Sequence, residues 1–138
     1  MKISKIERSK LANSGDTYKA LLASDADWFV RTADDLRQLR TEDKEGGLAK
    51  LSDDVFERFV ASCTFANGGI AGGKTAILTT ELGLKSIFEI FNRFGADDVL
   101  ILSWQERDCD PNTHHCTWDF TSFCSDTTCK PIIVAADS

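Results

Sequence analysis

Thr80-Glu81-Leu82-Gly83-Leu84-Lys85-Ser86-Ile87-Phe88-Glu89-Ile90-Phe91-Asn92-Arg93-Phe94-Gly95 is the stretch whose reading decides the fold. Leu84, Ile87, Phe88, Phe91 and Phe94 recur at the three- and four-residue intervals of one α-helical face, and Gly95 stands where a C-cap belongs. A helix over 80–94 with so apolar a face needs a surface to cover. Upstream, Ser52 caps Asp53-Asp54-Val55-Phe56-Glu57-Arg58-Phe59-Val60, a second amphipathic helix whose face is Val55, Phe56, Phe59 and Val60. Thr32 caps a shorter one over Ala33 to Arg40, with acids in its first turn and bases in its last.

Downstream the pattern changes. Val99-Leu100-Ile101-Leu102 reads as a short buried strand, Thr117-Trp118-Asp119-Phe120-Thr121-Ser122-Phe123 alternates in strand fashion, and Ile132-Ile133-Val134 after Pro131 reads as an edge strand. The chain is therefore expected to be α+β. Two amphipathic helices, near residues 52–62 and 80–94, pack on a small, mainly antiparallel sheet that includes 98–104, 116–123 and 131–135. All of 1–138 forms a single domain, with a Cys-rich C-terminal segment at 109–129.

The remainder reads less sharply. Ile3 and Ile6 have helix-like spacing, Asn13-Ser14-Gly15-Asp16 is a turn, and Thr41 to Gly47 is a polar loop. Tyr18 to Leu22 and Trp28 to Val30 suit a hairpin, although the Ala and Leu of the first run suit a helix equally well.

A chain of 138 residues, 42% hydrophobic and with only two prolines, has material for one core and little reason for disorder. Its charge is uneven. Residues 1–50 carry ten Lys/Arg against nine Asp/Glu, whereas 51–138 carry six against thirteen. An acidic half repels phosphate backbones and disfavours nucleic acid, but it suits a basic partner. No apolar run approaches membrane-spanning length, and the charged Met1 to Arg8 lacks a signal-peptide pattern, so a cytoplasmic location is expected.

Two constellations invite chemistry. Gly68-Gly69-Ile70-Ala71-Gly72-Gly73-Lys74-Thr75 satisfies the G-x4-G-K-[ST] pattern of a phosphate-binding loop, in which Gly68, Gly73, Lys74 and Thr75 would hold a nucleotide. No metal-assisting Asp ends the run Val99 to Leu102, and Asn67-Gly68 is a hairpin signal followed by β-branched Lys74 to Thr80. A hairpin is the preferred reading, and a nucleotide-dependent enzyme is the alternative.

The second constellation gathers Cys109, His114, His115, Cys116, Cys124 and Cys129, thiols and imidazoles of the kind that bind zinc. The C-x6-C-x7-C-x4-C spacing lacks the tight knuckles of a zinc motif, so disulfides and unlinked thiols compete with metal. Asp108-Cys109-Asp110 resembles the start of a calcium loop, but Thr113 stands where that loop needs glycine, and calcium is rejected. The Ser, Thr and Cys of the tail would also suit a precursor of a ribosomally made, cross-linked peptide, with residues 1–108 as its leader. Flanking Asp108, Asp110, Asp119 and Asp126 raise thiol pKa values and favour a structural clamp over a catalytic cysteine. Cys63, Trp28, Trp104 and Trp118 are read as core residues. The sequence thus favours a small acidic protein that binds another protein, with its tail stiffened by disulfide or zinc.

Overall fold

Capping residues set the helix starts. The computed structural model describes residues 7–110 and 112–129. After a 3₁₀ turn at Arg8–Lys10, α1 (Gly15–Ala23) begins at Ser14, whose side chain accepts from Thr17 N while Thr17 reaches back in a capping box. Thr32 caps α2 (Ala33–Glu42) and Ser52 caps α4 (Asp53–Ser62), both at the expected residues, and the short α3 (Gly47–Lys50) lies between them. The expected loop at 41–47 is therefore reduced to the turn between α2 and α3. Val55, Phe56, Phe59 and Val60 are all buried.

The helix read over 80–94 is α6 (Leu84–Asn92). It starts late because Gly83 occupies the N-cap and Thr80 still closes the preceding α5 (Thr75–Thr79). Ile87, Ile90, Phe91 and Phe94 are buried, Phe88 is partly so, and Leu84, in the first turn, is 71% exposed. Gly95 has φ +96, the left-handed conformation expected of it, and a Cβ there would lie 2.8 Å from Leu21 Cδ2.

Three strand expectations need correction. Val99 to Leu102 is helical, within α7 (Asp98–Trp104). Asp97 caps it by accepting from Leu100 N at 2.9 Å, and Leu100, Ile101 and Trp104 form a helical face while Val99 and Leu102 point to solvent. Lys74 to Thr80 is not a strand either: in α5, Thr79 and Thr80 donate back to the carbonyls of Ala76 and Ile77 at 2.7 Å each. Trp28 to Val30 forms no hairpin with α1. Arg31 instead ties this segment together, its guanidinium donating to the carbonyls of Leu22, Ser24, Ala26 and Gly68 while lying over the Phe29 ring.

The sheet contains β1 (Thr64–Ala66), β2 (Gly69–Gly73), β3 (Gln105–Cys109) and β4 (Cys116–Cys124), in the antiparallel order β1-β2-β4-β3. Residues 116–123 are a strand as expected, 105–109 is a strand the sequence reading missed, and the expected strand at 131–135 and the Ile3/Ile6 spacing lie outside the described residues. The architecture is α+β. Phe123 of β4 meets the helices at the centre, its ring 4.7 Å from Phe91, 6.2 Å from Phe94 and 6.4 Å from Trp104. Tyr18 closes the other side of Trp104 edge-on and donates its buried hydroxyl to Phe94 O at 2.9 Å. A second, smaller cluster joins Ala71, Cys124 and Cys129, with Ala66, Cys109 and Cys116 against it. No helix among the described residues is long and apolar enough to cross a membrane.

Candidate functional site: an aromatic ribbon over a sulfur cluster

The glycine-rich segment is a strand, and its glycines serve packing. Asn67 (φ 53) and Gly68 (φ 92) make the left-handed pair of a tight hairpin turn, which sends Gly69–Gly73 back along β1. A Cβ on Gly72 would sit 2.8 Å from Phe123 O, and one on Gly73 would sit 2.9 Å from the Phe123 ring, so β4 approaches β2 only because neither has a side chain. Gly68 and Gly73 thus lie at opposite ends of an extended strand rather than around a phosphate-sized loop. The exposed Lys74 turns its Nζ to Asp119 Oδ2 at 3.8 Å, and Thr75 hydrogen-bonds Gln105 at 3.2 Å.

Beyond Gln105, β3 and β4 form a two-stranded ribbon with an interrupted register. Cys109 faces Cys116, Asp108 faces Thr117 and Arg107 faces Trp118, but Gln105 faces Phe123, so Glu106 alone is set against residues 119–122. Glu106 takes φ +62, and Asp119 gathers the surplus chain: its carboxylate accepts from Thr121 N at 2.9 Å, Thr121 Oγ1 at 2.7 Å and Ser122 Oγ at 3.1 Å. The hydrogen bond from the Thr121 backbone, then that from its hydroxyl, hold the Asp119 carboxyl below the usual carboxylate range, and Lys74 adds to this.

The bulge separates two aromatic groups. Phe123 turns into the core, whereas Trp118 and Phe120 stand outward, 66% and 72% exposed, in a T-shaped pair with centroids 4.7 Å apart. Trp118 is therefore no core anchor. Its parity held the signal: Trp118 and Phe120 share one strand face and Phe123 takes the other, so with Phe123 in the core the alternation itself turns Trp118 and Phe120 outward. The sequence reading noted the alternation but still took Trp118 as a core residue.

Beneath the ribbon the sulfurs converge. Cys109 pairs with Cys129 and Cys116 with Cys124, each pair with Cα atoms 5.7 Å apart. The first bridge fastens the end of β3 to the turn after β4, and the second spans β4 across its bulge. The sulfurs of Cys109, Cys124 and Cys129 lie within 4.8 Å of one another. His114 and His115 are exposed in the connection between β3 and β4 and do not belong to that group, so of the six candidate metal ligands the structure gathers Cys109, Cys124 and Cys129, with Cys116 attached through its bond to Cys124. Cys63 is free and packs against the main core, where burial pushes its thiol up to about 12. Set against known protein families, curated proteins and solved structures, the chain matches none.

Proposed function

We propose that this protein acts by binding a basic segment of another protein on the outer face of the β3–β4 ribbon. One observation carries the reading: Trp118 and Phe120 pack on each other in solvent, on a strand whose two ends, Cys116 and Cys124, are joined by a disulfide. Rigid, exposed aromatics lose little conformational entropy on binding and dominate interface energetics. Charge supports a basic partner, since residues 105–126 carry five acids, Glu106, Asp108, Asp110, Asp119 and Asp126, against the single Arg107. An Arg or Lys of the partner would lie across the indole face, drawn by the net negative charge of residues 105–126, in which Arg107 pairs with Asp126. A cytoplasmic setting belongs to the same proposal, and there reductants would contest both bridges.

Panning a displayed peptide library against the protein and against W118S/F120S tests it. Peptides rich in Arg and Lys with an apolar anchor should be enriched on the unmodified protein. The double variant should bind them about 30-fold or more weakly, which corresponds to roughly 2 kcal/mol. Salt should weaken the binding. Equal enrichment on both proteins, or selection of acidic peptides, would reject the proposal.

A further inference from the structure

We propose that reduction of the two bridges converts the sulfur cluster into a binding site for one thiophilic divalent cation of the zinc type, with Cys109, Cys116, Cys124 and Cys129 as its four ligands. This inference does not rest on the partner-binding reading.

The geometry is already close to that of a metal site. In a tetrahedral zinc–thiolate centre, bonds of about 2.3 Å place neighbouring sulfurs roughly 3.8 Å apart. Three sulfurs here lie within 4.8 Å of one another while bonded in the oxidised pattern. Cys116 brings the fourth, since in the oxidised form its sulfur is bonded to that of Cys124. Cleaving both bonds therefore leaves three sulfurs in one group and the fourth, that of Cys116, beside Cys124 at its edge, to be drawn in by coordination.

The surroundings favour a closed, structural site. Cys124 and Cys129 are buried, and the cluster they join contains only cysteine and alanine. Such a cluster has no branched or aromatic side chain of its own to hold it together once the bridges open, and four adjacent reduced sulfurs leave coordination as the bond that replaces them. The backbone beneath is pinned independently of sulfur: Ser125 N donates to Ala71 O at 2.8 Å, Cys129 N to Ser125 O at 2.9 Å, and Asn67 Nδ2 to Thr128 O at 3.0 Å. The ligands thus have a scaffold that outlasts the bridges, and Asp108 and Asp110, on either side of Cys109 in the sequence, add negative charge that attracts cations.

The chemistry balances as follows. Each S–S bond takes two electrons and two protons, from a phosphine and water, giving two thiols and one phosphine oxide. The cation then displaces the thiol protons to solvent as four metal–sulfur bonds form.

The test is a Co²⁺ titration of the full chain, oxidised and phosphine-reduced, without oxygen. The reduced protein should bind one Co²⁺ with intense sulfur-to-cobalt charge-transfer absorption and tetrahedral visible bands, and Zn²⁺ should bleach them with an apparent Kd below about 1 µM. The oxidised protein should show none of these bands. C124S and C129S should each lose or distort the spectrum, whereas C63S and the H114A/H115A double variant should keep it. Alkylation and intact mass give a readout that does not depend on the fold surviving reduction: Zn²⁺ should protect four cysteines of the reduced chain. Absence of charge-transfer absorption, absence of protection, or loss of either in H114A/H115A would overturn the inference.

Discussion

Phe91 is fully buried and touches both Phe94 and Phe123, whereas Phe88, one residue round the same helix from Ile87, only borders the core. Phe91→Ala should cost about 3–5 kcal/mol. Phe88→Ala should cost clearly less, and urea unfolding of the two variants makes the comparison. Asp119 governs a pH effect at the same scale. Its carboxyl is held low in the folded chain by the Thr121 and Ser122 hydrogen bonds, so the stability it adds is present above the ordinary carboxylate range, near pH 4. That contribution is lost as pH falls through the depressed folded value. Asp119→Asn should therefore flatten the fall in urea midpoint between pH 5 and the acid limit of folding, and an unchanged profile would show that the bulge does not depend on this carboxylate. Cys63, with its thiol raised to about 12, should resist iodoacetamide at pH 8 in the native protein and react on unfolding, as intact mass will report.

At the scale of elements, α7 separates two readings of one apolar run. If Val99 to Leu102 were a strand buried on both faces, a charge at any of its positions would be ruinous. In the helix, Val99 and Leu102 are 69% and 62% exposed while Ile101 is fully buried. Leu102→Glu should stay within about 0.5 kcal/mol of the parent, and Ile101→Glu should cost several times more. Thermal melts of the two variants decide the point. The contrast also shows what was legible in the sequence. α4 and α6 were readable because each combines a start or stop signal with an apolar face at helical spacing, and α2 because its Thr32 cap agrees with acids in the first turn and a base in the last. Four consecutive apolar residues offer no period, and the decisive Asp97 cap lies outside the run. β3 was invisible because Gln105-Glu106-Arg107-Asp108-Cys109 has no apolar alternation; pairing with β4 makes it a strand. For the candidate site, the cysteines were legible as a group but their partners were not, since connectivity depends on how the bulge and the 125–129 turn bring the chain back upon itself.

The whole molecule has two cores of different character. The larger is aromatic and aliphatic and is shared by the helices and the inner sheet; the smaller is sulfur and alanine and holds the ribbon. Opening the bridges in the absence of metal should cost about 2–4 kcal/mol and lower the Tm, with the loss confined to the ribbon. Hydrogen exchange should then rise across residues 107–122 while the 125–129 turn, α4 and α6 stay protected, and a melting curve indifferent to reductant would show that the bridges contribute nothing. The three tryptophans are distributed across this division: Trp104 is buried between Tyr18 and Phe123, Trp28 is half-buried beside Phe29, and Trp118 stands in water on the ribbon. The molecule therefore carries its own optical labels. Emission from Trp104 should be blue-shifted and shielded from acrylamide, that from Trp118 red-shifted and quenched, so the double variants W28F/W118F and W28F/W104F let one watch the core or the ribbon alone as either comes apart.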